Sequence, residues 1–96
     1  MARLSQSIAY VRTFMMIDSA DHITGKTGLT VTVTLSKAGG AYGAAAGAVA
    51  EIATGLYKCS FSTADTNTLG DLAVHCTATG ADPTDFIDQI GPAAPN

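Results

Sequence analysis

The segment Leu29-Thr30-Val31-Thr32-Val33-Thr34-Leu35 alternates apolar and polar residues without interruption. A period of two places the leucines and valines on one face of an extended chain and the threonines on the other. β-branched residues, which favour the pleated conformation, make up most of the segment. The pattern predicts an antiparallel strand with one face buried and the other in water.

The tripeptide Gly25-Lys26-Thr27, just before this strand, has the ending of a phosphate-binding loop. Such a loop needs an earlier glycine, where this chain has Ala20, and a helix after it whose amides hold the phosphates. A strand follows instead. The sequence therefore predicts a glycine-bracketed turn and no nucleotide or other cofactor.

Similar alternation, separated by glycine-rich turns, continues along the chain. We predict strands over 8–17, 29–35, 41–45, 48–53, 56–62, 71–79 and 84–90. A single helical turn is expected near 63–69, with Thr63 as its cap and Gly70 at its end. About seven short strands with frequent turns are typical of an all-β fold, a two-sheet antiparallel sandwich of the immunoglobulin-like type.

The 96 residues correspond to one domain with a thin core. We predict an N-terminal arm over 1–7, the β-sandwich domain over 8–90 and an extended C-terminal tail over 91–96. The first residues lack the unbroken apolar stretch of a signal peptide, since Arg12 and Thr13 interrupt it. No segment has the length needed to cross a bilayer, so we expect no membrane contact and synthesis in the cytoplasm.

Two cysteines, Cys59 and Cys76, occupy positions in their strands whose side chains are predicted to face the core. A disulfide between them would stabilise a small domain by about 2–4 kcal/mol. Cytoplasmic synthesis favours the alternative, two buried free thiols.

Residues that could support other chemistry are few. The net charge of −3, with scattered basic residues, argues against direct nucleic-acid binding. A zinc site would need His22 or His75 beside the cysteines, but His75 and Cys76 are adjacent in a strand and face opposite sides. No metal site is therefore predicted there.

Asp82, Asp85 and Asp88 recur at every third position but lack the glycine and closing glutamate of a calcium loop. We expect these acids to cap a turn and solvate a face. Without a nucleophile elbow, and with Glu51 as the single glutamate, the chain is predicted to have no catalytic residues and not to be an enzyme.

Longer stretches of the chain resemble a known group of proteins. The runs TGKTGLTVTVTLSKAGGAY (24–42) and GAVAEIATGLYKCSFSTADTNTLGDLAVHCTATGADPTDF (47–86) contain four motifs in order. These are Gly-Leu-x-Val-x-Val, Ser-Lys-x-Gly-Gly-x-aromatic, Gly-x-Tyr and Ala-Asp-Thr-x-Thr-x-Gly-Asp-Leu. Over residues 18–90 the chain is similar to small modules of tailed-bacteriophage virion proteins, including baseplate-associated, fibre-associated and capsid decoration proteins.

This resemblance implies a β-sandwich in a non-enzymatic virion component and carries no site residues with it. We expect a capsid decoration protein that stabilises the shell and is located in the virion. Its expected partners are the major capsid protein or other virion proteins, and we expect it to form a homo-oligomer. One alternative is a tail, baseplate or head–tail connector subunit. A second is a carbohydrate-binding module for host attachment, although only Tyr10, Tyr42 and Tyr57 could stack on sugars.

Overall fold

The computed structural model describes residues 3–92, which form eight β-strands and contain no helix. The strands are β1 (Arg3–Ser5), β2 (Tyr10–Met15), β3 (Thr32–Lys37), β4 (Gly43–Ala44), β5 (Ala48–Ala53), β6 (Leu56–Phe61), β7 (Gly70–Thr77) and β8 (Thr84–Gly91).

The strands form a five-stranded sheet in the order β1-β8-β7-β3-β4 and a three-stranded sheet in the order β2-β6-β5. All neighbours are antiparallel except β1 and β8, which are parallel. The orders β2-β6-β5 and β3-β7-β8 correspond to strands B-E-D and C-F-G of the immunoglobulin fold. The predicted all-β sandwich is therefore confirmed.

The core lies between the two sheets and follows the predicted alternation. In β6 the inward residues Tyr57, Cys59 and Phe61 are buried, and in β7 Leu72, Val74 and Cys76 are buried. Apolar residues from β1, β2, β3 and β8, together with Met16 just after β2, complete the cluster. Period-two burial thus determines which face of each central strand packs inward.

The strand predicted over 29–35 begins later and ends later, at Thr32–Lys37. The Tyr57 hydroxyl explains the late start, since it donates to the carbonyl of Lys26 (2.7 Å) and accepts from the amide of Leu29 (3.1 Å). The chain before Thr32 is thereby tied to β6 in the opposite sheet instead of to β7.

The turn expected to be helical is shorter and differently capped. Residues 63–66 form a hydrogen-bonded turn, and the Asp65 carboxylate, rather than Thr63, accepts backbone amides. It bonds the amides of Ala46 (2.8 Å), Gly47 (2.9 Å) and Ser62 (2.9 Å). The turn therefore also holds the chain that enters β5.

The ends of the chain contribute to the sheet. Arg3–Ser5, within the segment expected to be an arm, pairs with Gln89–Gly91, and the buried Leu4 side chain anchors it in the core. Gly91, expected to begin the tail, is the last residue of β8. Residues 1–2 of the arm and 93–96 of the tail lie outside the described residues.

Candidate interaction surfaces

One side of the sandwich, between β2 and β8, is closed by contacts between the sheets. The Tyr10 hydroxyl accepts the amide of Ser5 (3.0 Å), and the Thr84 hydroxyl donates to the carbonyl of Met15 (2.6 Å). Arg12 and Asp88 pair between these two contacts. We call this line of contacts the closed seam.

The Arg12–Asp88 pair is the strongest electrostatic contact of the seam. The Arg12 guanidinium donates from Nε to Oδ2 (2.8 Å) and from Nη2 to Oδ1 (2.9 Å) of Asp88, and it lies 5.3 Å from the centre of the Phe86 ring. The Asp88 side chain is 0% exposed and that of Arg12 is 28% exposed. The pair therefore joins the two sheets with a bidentate, largely desolvated contact.

The expectation that Asp88 solvates a face is therefore wrong. Asp88 shares the parity of Phe86 and Ile90, and Arg12 shares that of Tyr10 and Phe14. The sequence signal was the presence of one acid and one base on inward parities of two strands. The spacing of three residues between Asp82, Asp85 and Asp88 does not indicate that Asp88 faces inward towards Arg12.

The other two aspartates of the series bind histidines. Asp82 lies 2.6 Å from Nδ1 of His22, and this hydrogen bond raises the pKa of the exposed imidazole. Asp85 bonds Nδ1 of His75, whose ring packs in a tilted arrangement against Tyr42 with 5.3 Å between centroids. Within residues 3–92, no group of three or more His, Cys, Asp or Glu side chains is placed to hold a metal ion.

The loop that contains Gly25-Lys26-Thr27 is packed against the three-stranded sheet. A Cβ added at Gly25 would lie 2.3 Å from the Thr54 carbonyl oxygen, so a side chain has no room there. Asp21 accepts hydrogen bonds from the Thr24 hydroxyl and from the amides of Thr24 and Ile23, and its pKa falls to about 2. The glycine serves close backbone packing, and β3 follows the loop where a phosphate site would need a helix.

The two cysteines are free and buried in the core. Burial raises the pKa of Cys59 to about 11 and that of Cys76 to about 12. A thiol in this environment stays protonated at neutral pH and is a poor nucleophile or metal ligand.

The outer face of the three-stranded sheet carries exposed apolar side chains. Its cross-strand rows are Val11–Ser60–Ala48, Thr13–Lys58–Ala50 and Met15–Leu56–Ala53. Val11 is 59% exposed and Met15 42% exposed, and Lys58 is the one charged side chain in these rows. We call this surface the three-stranded face.

The outer face of the five-stranded sheet is more polar. Its rows are Thr32–Thr77, Thr34–His75–Asp85 and Ser36–Ala73–Ile87, in which Ile87 is the large exposed apolar residue. An antiparallel sheet with a wet face normally shows this composition. The two outer faces of the molecule therefore differ, and the three-stranded face is the better suited to contact another protein.

The side of the molecule opposite the closed seam carries a long segment without charged residues. From Ala38 to Ala50 the chain contains no charged residue, and most of the segment is exposed. It includes β4 and much of β5, the edge strands of the two sheets on this side. A shallow groove lined by Leu35, Lys37 and the 40–44 segment runs beside β4.

Fold and surfaces together define a small immunoglobulin-like β-sandwich in which the His, Asp and Cys side chains considered above serve structural contacts. Comparison with protein-family models, with curated proteins and with solved structures finds no match to this chain. Residues 3–92 include no helix that is long and apolar enough to span a membrane.

Proposed function

We propose that this chain is a non-enzymatic structural component of a phage virion, a capsid decoration protein that binds the shell through the three-stranded face. The observation that carries the proposal is the exposure of Val11, Met15 and Ile52 on or beside one sheet, while the other sheet presents threonines, Asp85 and His75. A face of this composition favours contact with a protein surface over contact with water. The four ordered sequence motifs support the assignment to virion proteins.

The arrangement of polar groups agrees with a structural role. His22 and His75 are held by aspartates, Asp65 by backbone amides and both thiols by the core. These groups stabilise loops and strands. The domain then contributes to a particle through its surface area and its rigidity, as a shell-stabilising protein requires.

The test uses purified particles of the phage that carries the chain. Wild-type protein is expected at a copy number comparable with that of the major shell protein, and electron cryo-microscopy should place the three-stranded face against the shell. Val11→Lys should reduce the bound amount, because it puts a charge into the contact.

Ile87→Lys is the matched control, because Ile87 is 47% exposed on the opposite outer face. That variant should bind as the wild type does. A copy number of only a few per particle would indicate a tail or connector subunit instead. Absence of the chain from particles would refute a virion role.

A further inference from the structure

The two sheets end in four edge strands, and these are unequally open to pairing. β1 has 3 residues and β4 has 2, so both offer less backbone for pairing than β5. β2 is bordered by the closed seam, where Thr84 caps the Met15 carbonyl. β5, with 6 residues, is the long edge strand on the open side.

β5 lacks the features that usually protect an edge. Its sequence, Ala-Val-Ala-Glu-Ile-Ala, has no lysine, arginine or proline, and all its residues except Val49 are exposed. Its one charged side chain, Glu51, turns back onto its own subunit and accepts the amides of Gly28 (3.0 Å) and Gly55 (3.3 Å). An exposed edge whose one charged side chain is held by its own subunit is a template for another strand.

A β-bulge limits how far such a strand can pair. The register with β6 shifts between Glu51 and Ala53, so the regular part of the edge is Ala48 to Glu51. Gly47, just before it, is fixed against β6, since an added Cβ would lie 1.9 Å from the Ser60 carbonyl oxygen. The available edge of β5 is therefore short and rigid, and its backbone can pair with another strand.

We propose that β5 is a homodimer interface, in which the β5 strands of two copies pair antiparallel about a two-fold axis and join their three-stranded sheets into one. An antiparallel pair of identical strands is self-complementary, as a two-fold interface requires. With Ala50 at the axis, Val49 faces Glu51 of the other copy, and Ala50 faces itself. No like charges are opposed.

The charges nearest to this axis also permit the pairing. The Lys58 residues of the two copies lie on β6, three strand spacings apart, or about 14 Å. That separation exceeds the screening length of about 8 Å at physiological salt, so their repulsion is weak. The proposal goes beyond a role in the virion and does not depend on it.

The test is sedimentation equilibrium of the isolated protein over a range of concentrations. The wild type should dimerise reversibly. Ala48→Lys, which places a lysine on the exposed edge twice per dimer, should raise the dimer dissociation constant roughly tenfold. An equimolar mixture of Ala50→Lys and Ala50→Glu should dimerise more tightly than either variant alone, because residue 50 faces itself across the axis and opposite charges then meet.

Val11→Lys is the matched control, because Val11 and Ala48 flank Ser60 in the same row on opposite edges of one sheet. It should leave the dissociation constant unchanged. In hydrogen exchange, amide protection in Ala48–Glu51 should increase with protein concentration. A wild type that stays monomeric, an Ala48→Lys variant that dimerises normally, or a Val11→Lys variant that weakens the dimer equally would each overturn the proposal.

Discussion

Replacement of Arg12 by methionine tests whether the closed seam holds the two sheets together. Methionine keeps much of the aliphatic volume of arginine but removes both hydrogen bonds to Asp88. The Asp88 carboxylate then remains buried after losing its bidentate guanidinium contact. We expect a large loss of stability with the strand arrangement unchanged.

The magnitude follows from the burial of the two partners. Breaking a buried ion pair from one side costs about 3–5 kcal/mol. Arg12 is 28% exposed, which places this pair near the lower end, about 3 kcal/mol. Because Asp88 is 0% exposed while Arg12 can turn towards water, Asp88→Asn should cost less than Arg12→Met.

Urea unfolding followed by circular dichroism measures these differences. For a domain of this size a slope of about 1 kcal/mol per molar urea makes the expected loss a midpoint shift of about 3 M. The double variant Arg12→Met/Asp88→Leu should recover part of the loss, since an apolar pair carries no buried charge. A loss below about 1 kcal/mol in Arg12→Met, or a loss in the double variant equal to the sum of those in Arg12→Met and Asp88→Leu, would refute the reasoning.

Three further outcomes follow from the packing and the pKa shifts. Gly47→Ala should lower the free energy of unfolding by about 1–3 kcal/mol, because the added Cβ would collide with the Ser60 carbonyl. Gly43→Ala should leave the free energy of unfolding unchanged, because nothing lies within 4 Å of its added Cβ. Urea unfolding of the two variants measures the difference. Because the pKa of Asp21 is lowered from 3.8 to about 2, its carboxylate stabilises the fold at pH values above 3.8, and this stabilisation is lost as the pH falls towards 2. Thr24→Val should raise the pKa of Asp21 in an NMR titration and weaken the pH dependence of stability. An unchanged pKa would contradict the assignment. The two core thiols should resist an aromatic disulfide reagent in the native protein and react fully in denaturant, and rapid native labelling would show that the core opens.

The central strands of the fold were predictable because burial there follows a simple alternation. Tyr57, Cys59 and Phe61 in β6 occupy the predicted inward positions, and so do the buried residues of β7. In both strands one face meets the opposite sheet and the other meets solvent. A local pattern is then sufficient to specify the packing.

Elements that depend on distant residues were not predictable in the same way. The late start of β3 comes from the Tyr57 hydroxyl, whose partners are about thirty residues away in the chain. β1 forms because the last residues of β8 are available beside it, and the local sequence of β1 does not predict that pairing. The Arg12–Asp88 contact joins residues near the two ends of the sequence. The sequence indicates it only in that both residues occupy inward-facing positions of their strands.

The difference between the two sides of the sandwich also bears on how the molecule can associate. If β2 were as open as β5, β5 of one copy could pair with β2 of the next, and this head-to-tail contact would continue into a filament. The closed seam engages Tyr10, Arg12 and Met15 within the subunit, which disfavours such growth. With β5 alone available as a long edge, pairing between copies ends at two. The contact of Thr84 with the Met15 carbonyl at the closed seam therefore favours the proposed closed dimer, whose joined three-stranded faces would present one continuous apolar surface to a larger assembly.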